Sequence, residues 1–159
     1  MSIDVRLLRE ALLVQPIEDE SPVGDLAIEK MGDEAFDWLL RELRGDTLTP
    51  RETIRALRLL ARITRQFSVR RKGELLDQAL ALAQSSSADR DVRSAAVHVA
   101  IVGAGIAKGL KDASVAYGRS VHEVYVQVSL ATRRAVELGV TPEIEAFSKG
   151  FLSRSAASP

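Results

Sequence analysis

The sequence predicts an all-α fold, and three observations lead to this prediction. Leu, Ala and Arg dominate a chain of 159 residues in which only seven residues are aromatic, and this composition favours helix over strand. Apolar residues recur every three to four positions along most of the chain. Capping residues, prolines and glycines divide this pattern into segments of helical length. The length fits one domain, which we expect over residues 1–152, with 153–159 as a disordered tail.

Local start and stop signals place the individual helices. A Ser or Thr cap before Pro, or three residues before Glu, starts a helix, and Gly ends one. The clearest cases are the capping boxes Thr49–Glu52 and Ser120–Glu123, together with Gly45 and Gly139 as helix ends. Taken in chain order, the signals predict helices over 4–14, 22–31, 33–44, 50–67, 74–84, 89–102, 121–138 and 142–152.

The helix predicted over 89–102 is apolar almost all round, which indicates a buried helix. We therefore expect His98 to be a core residue. Gly103 and Gly105 follow, and they either end this helix or let another helix approach closely. The same glycines resemble the phosphate loop of a Rossmann unit. Their spacing is one residue too long for that loop, however, and too few residues follow to build the remaining strands.

Helix pairs in this chain recur at roughly 40 residues, the period of HEAT and armadillo arrays. The segment with Asp89, Val92-Arg93 and Ala96 resembles the HEAT signature of an Asp, then Val-Arg, then a small residue. The resemblance implies a short right-handed α-solenoid of HEAT-like antiparallel helix pairs. In that family the Asp and Arg help to bind neighbouring repeats together, and the small residue allows close packing.

The HEAT resemblance extends over about 33–102. The earlier pair has Ile54-Arg55 at the matching place, but Arg51 stands where the family has Asp. The segment from Ser120 onward has helices of suitable length without the Asp or the Val-Arg. An irregular helical bundle is the alternative fold. Small bacterial proteins built from such helical repeats include adaptors and immunity proteins, which bind other proteins.

Charge is distributed unevenly along a chain whose formal net charge is zero. Residues 1–48 hold twelve acidic and five basic residues, a net charge of −7, whereas residues 49–72 hold eight basic and one acidic residue, a net charge of +7. Five arginines of the basic segment fall within a sector of about 80° on one helix. These arginines are Arg51, Arg55, Arg58, Arg62 and Arg65.

This arginine stripe is the main functional clue in the sequence. Arginine binds carboxylates and phosphates through two parallel hydrogen bonds, so the stripe predicts a site for an acidic protein surface. Nucleic-acid backbone binding and a solvated face neutralised by nearby acids are the alternatives. Trp38 is added as a candidate anchor, because tryptophan is enriched at binding hot spots, although it could equally pack on the preceding helix.

Other classes of function find little support in the sequence. There are no cysteines, and the two histidines, His98 and His122, lack metal-ligand spacing to each other or to a carboxylate. No nucleophile elbow is present. We therefore expect neither catalysis nor a cofactor. Without a signal peptide or a membrane-spanning run, we expect a cytoplasmic protein that does not bind membranes, and a homodimer is plausible.

Overall fold

The computed structural model describes residues 6, 22–45, 47–66 and 71–157, although not the side chains of 22–32, 63, 65–66 and 156–157. Within this part of the chain there is no strand, which confirms the all-α prediction. No described helix is long and apolar enough to cross a membrane. The predicted helix 4–14 falls outside the description except for Arg6. The helices are α1 (Pro22–Arg44), α2 (Pro50–Gln66), α3 (Lys72–Ala83), α4 (Arg90–Gly109), α5 (Ala113–Tyr117), α6 (Val121–Leu138) and α7 (Pro142–Ala157).

The chain divides into two compact units, whereas the sequence predicted one domain over 1–152. Unit 1 spans Met1–Val69 and unit 2 spans Arg70–Pro159. In unit 2 the predicted tail at 153–159 is helical as far as Ala157, because α7 continues through it.

Unit 1 is built on the packing of α1 against α2. The sequence predicted two helices separated at Gly32, but α1 runs through this glycine without a break. A glycine inside a helix costs only about 1 kcal/mol, and burial of the apolar face of α1 readily exceeds that cost. The buried apolar residues of the unit are Ala35, Phe36, Trp38, Leu39, Leu40, Leu43, Ile54, Ala56, Leu57 and Leu60.

The start of α2 is fixed by the predicted capping box. The Glu52 amide donates to Thr49 Oγ1 at 3.2 Å, and the Thr49 amide donates to Glu52 Oε1 at 2.9 Å. Two amides that the helix leaves without partners are thereby satisfied, and Pro50 at the first helical position needs no partner.

Unit 2 is centred on α4. Helices α3, α6 and α7 all pack against α4, and α6 also packs against α3 and α7. The apolar core is built mainly from small and β-branched residues. It consists of Leu75, Leu76, Ala79, Leu80, Ala83, Val92, Ala96, Val97, Ala100, Ile101, Ala104, Ala107, Ala113, Ala116, Tyr117, Val124, Val128, Ala131, Ala135 and Phe151.

The sequence did not predict α5, which brings Tyr117 against two glycines. The Tyr117 hydroxyl donates to the Gly103 carbonyl at 2.9 Å. On the other side, a Cβ placed on Gly73 would lie 2.5 Å from the Tyr117 carbonyl oxygen. Only glycine lets these backbones approach so closely. Gly73 therefore packs α3 against α5, and it lies inside α3 rather than breaking the chain before a helix.

Helix α4 is longer and less buried than the sequence predicted. It continues through Gly103 and Gly105 to Gly109, so these glycines do not end it and do not form a phosphate loop. Val102 is 43% exposed, and His98 is also exposed. Because His98 is exposed, the expectation of a core histidine is wrong. Its ring packs against Phe147 with centroids 5.4 Å apart.

Arg93 joins two turns of unit 2 and is only 5% exposed. Its guanidinium donates to the carbonyl oxygens of Ala88 at 2.8 Å and Ser85 at 3.1 Å, in the turn between α3 and α4. It also donates to the Gly139 carbonyl at 2.6 Å, in the turn between α6 and α7. Next to it, Ser94 Oγ accepts from the Thr141 amide at 2.9 Å. We call the Arg93 contacts the arginine clasp.

The helix boundaries of unit 2 follow the local signals of the sequence. The Glu123 amide donates to Ser120 Oγ at 3.1 Å, so Ser120 caps α6 as predicted. Gly139 ends α6 with a φ of 112°, which favours glycine. Asp89 caps α4 by accepting from the Asp91 amide at 2.8 Å. The HEAT-like Asp therefore acts here as a helix cap.

Candidate partner-binding surfaces

The structure retains only part of the predicted arginine stripe at the surface. Arg51 and Arg58 are exposed and Arg62 is half-buried, whereas Arg55 is only 5% exposed. The prediction of an exposed Arg55 is therefore wrong. Arg55 lies at the edge of the 80° sector, next to the side of α2 that faces the core. We call Arg51, Arg58 and Arg62 the arginine row.

The other two predicted binding residues do not extend this row. Trp38 is 5% exposed and belongs to the core of unit 1, so its interpretation as a surface anchor is wrong. Large aromatic side chains stabilise a fold most when their surface is buried. For Trp38 this gain outweighs the effect of its charged neighbours in the sequence. The side chain of Arg65 lies outside the described residues.

The residues of the arginine row also interact within the chain. Each of Arg51, Arg58 and Arg62 takes part in a polar or electrostatic interaction with another residue of the protein. A partner must therefore compete with, or share, these interactions. The row spans about 16 Å along α2, since a helix rises about 1.5 Å per residue.

A second surface of interest is a groove in unit 2 that was not predicted. It has a volume of about 500 Å³, within the range of typical ligand-binding clefts. Its residues come from the exposed side of α6, the carboxyl end of α4 and the last turns of α7. They are Lys108, Val121, His122, Tyr125, Val126, Ser129, Leu130, Arg133 and Ser155.

The sequence contained a signal for this groove. Helical spacing places Val121, Val124, Tyr125 and Val128 on one side of α6, and Val124 and Val128 are fully buried. Leu130 lies on the opposite side of the same helix, and an apolar residue there is the signal of a second contact surface. Which other helices would flank it could not be deduced without the fold.

Among the described residues, the group whose pKa clearly shifts lies away from both surfaces. Burial raises the pKa of the Tyr117 hydroxyl to about 12, but this group is hydrogen-bonded inside unit 2 and does not face the groove. Among the described residues, no group of three or more His, Asp or Glu side chains could hold a metal ion.

Comparisons with protein-family models, curated proteins and solved structures found no match for this chain.

Proposed function

We propose that this chain is a non-enzymatic protein-binding module that recognises an acidic partner surface through the arginine row. The observation that carries the proposal is the alignment of Arg51, Arg58 and Arg62 on the outer side of α2. Seven and four residues separate them, so their side chains leave the helix within about 40° of one another. Such a row matches carboxylates spaced one and two turns apart on a partner helix.

The energy of such an interface comes from the charge of the arginines that α2 exposes. Most of the other described side chains of α2 are buried, whereas Arg51 and Arg58 are exposed. Charge complementarity of this kind mainly increases association rates and selects against basic partners. The existing interactions of the three arginines reduce the net gain, so we expect moderate affinity that decreases with salt.

We further propose a stack of HEAT-like helix pairs as the architecture of unit 2. Its support is the arginine clasp, in which Arg93 joins the turn of one helix pair, α3 and α4, to that of the next, α6 and α7. This role is the one that the HEAT resemblance implies for the Arg of the signature. Stacked helix pairs offer extended faces for partner recognition.

Affinity capture from the host lysate, followed by mass spectrometry, tests the proposed function. The row variant Arg51→Glu/Arg58→Glu/Arg62→Glu is compared with wild type, with and without nuclease. A triple reversal of exposed cations in unit 2 serves as a control of equal charge change, and it carries Arg90→Glu, Arg134→Glu and Lys149→Glu.

A discrete protein that survives nuclease, and that only the row variant loses, supports the proposal. Purified components then give the affinity. Loss of all captured protein on nuclease treatment, together with binding to duplex DNA that falls steeply with salt, would replace it with nucleic-acid binding. Equal capture by the row variant and wild type would mean that the row is only a solvated face.

A further inference from the structure

The groove of unit 2 is lined along one side by a stripe of α6. His122, Val126, Leu130 and Arg133 follow one another at helical spacing, so they lie on one side of the helix over about 16 Å. Val126 is 43% exposed and Leu130 is 57% exposed, so both apolar side chains are accessible. Together with Tyr125 they form an apolar strip that continues into the groove.

Arg133 and Lys108 place positive charge around this apolar strip. His122 and Arg133 lie at its two ends, and Lys108 reaches the groove from α4. No acidic side chain lines the groove among the described residues. Some other basic side chains in the described part of unit 2 are paired with acids: Arg119 contacts Asp77 at 2.8 Å, and Arg134 contacts Glu137 at 3.3 Å. The groove thus combines exposed apolar surface with positive charge that has no acidic counterpart beside it.

We propose that this groove binds an acidic amphipathic helix of a partner protein. Leucine-like side chains of that helix, spaced i, i+4 and i+7, would cover Val126, Leu130 and Tyr125, as in other complexes in which a helix occupies a groove. Carboxylates beside them would meet Lys108 and Arg133. The stripe is three turns long, so the contact needs a partner helix of about ten or more residues.

Charge argues against a second copy of this chain as the occupant. A two-fold dimer through the stripe would place the same surface on both sides of the interface. Lys108 and Arg133 would then face like charges, and such juxtaposition disfavours association. An acidic partner removes this repulsion and buries the same apolar strip.

The test uses the full chain and a synthetic probe. The probe is a fluorescein-labelled peptide of about 15 residues with leucines at i, i+4 and i+7 and glutamates on both sides of them. A second peptide carries lysine in place of glutamate, and a third has the leucines scrambled. Fluorescence anisotropy gives the dissociation constant for wild type, Leu130→Asp and Arg133→Glu.

Two variants serve as controls. Val115→Asp introduces the same change at an apolar side chain that is 53% exposed but outside the groove. The arginine row of unit 1 is also proposed to bind carboxylates, so Arg58→Glu measures the share of peptide binding that belongs to the row. Binding that Leu130→Asp weakens and Arg58→Glu leaves intact belongs to the groove. Failure of the proposed function and failure of this inference are therefore distinguishable.

We expect the glutamate peptide to bind wild type at least tenfold more tightly than either control peptide. Leu130→Asp and Arg133→Glu should each weaken binding at least tenfold, and Val115→Asp should leave it within twofold. Equal binding by Leu130→Asp and wild type would overturn the proposal, as would absence of binding or binding of the lysine peptide. A concentration-dependent dimer in sedimentation that Leu130→Asp abolishes would also overturn it, in favour of a second copy.

Discussion

Replacement of Arg93 by methionine tests whether the arginine clasp stabilises unit 2. Methionine keeps much of the buried volume but removes the guanidinium, which makes hydrogen bonds of 2.6, 2.8 and 3.1 Å to three carbonyl oxygens. Each hydrogen bond from a charged donor contributes about 1.5–3 kcal/mol. Part of this sum is offset because the variant no longer buries a charge. We expect the free energy of unfolding of unit 2 to fall by about 3 kcal/mol.

Two further substitutions make this prediction specific. Arg93→Lys keeps the charge but replaces the planar fork with a single ammonium, which cannot reach both turns at once. Arg93→Lys should lower the free energy of unfolding by about half as much as Arg93→Met does. Arg90→Met serves as the matched control, because Arg90 lies on the same helix with its side chain 63% exposed. It should change the unfolding free energy by less than about 0.5 kcal/mol.

The chain provides separate optical probes for the two units. Its one tryptophan, Trp38, lies in unit 1, and both tyrosines, Tyr117 and Tyr125, lie in unit 2. Urea unfolding followed by tyrosine fluorescence, in a Trp38→Phe background, therefore reports on unit 2. In chains that keep Trp38, tryptophan fluorescence reports on unit 1, and the urea midpoint that it gives should change little. A loss for Arg93→Met no larger than that for Arg90→Met would refute the reasoning, as would wild-type stability of Arg93→Lys.

Three other predictions concern backbone approach, ionisation and capping. Gly73→Ala should destabilise unit 2 by about 2 kcal/mol or more because its Cβ would meet the backbone of Tyr117. A Cβ at Gly105 would meet nothing within 4 Å, so Gly105→Ala should stabilise unit 2 by about 0.5–1 kcal/mol. Urea midpoints test both changes. The raised pKa of Tyr117 favours its neutral form in the fold. Unfolding free energy should therefore fall by about 1 kcal/mol between pH 9 and pH 11, and fall less in Tyr117→Phe; parallel slopes would contradict this. Thr49→Ala should cost unit 1 about 1 kcal/mol, measured by Trp38 fluorescence, and no change would exclude a stabilising cap.

Features with short-range causes were predictable from the sequence. The capping box at Thr49, the cap at Ser120 and the helix ends at Gly45 and Gly139 were all placed correctly. Each depends on hydrogen bonds or dihedral angles within a few residues, so the types of the adjacent residues are enough to predict it. The all-α composition also reflects intrinsic preferences that act locally.

Features that depend on packing between helices were not predictable in the same way. Gly32 and Gly103 lie inside helices because tertiary contacts outweigh a small local cost. Arg55 and Trp38 are buried although helical spacing placed the former on a charged side and gave the latter charged neighbours. The groove needs α4, α6 and α7 together, and no single segment of sequence specifies it.

The arginine clasp also has a consequence for the order in which unit 2 can be completed during synthesis. Arg93 bonds to Ser85 and Ala88, which precede it, and to Gly139, which the ribosome adds 46 residues later. Helices α3 and α4 can pair as soon as both have emerged, but the guanidinium then still lacks its shortest contact. In chains truncated before Gly139, the buried guanidinium of Arg93 would lack this hydrogen bond. The end of α6 is therefore the earliest point in synthesis at which all contacts of the clasp can form.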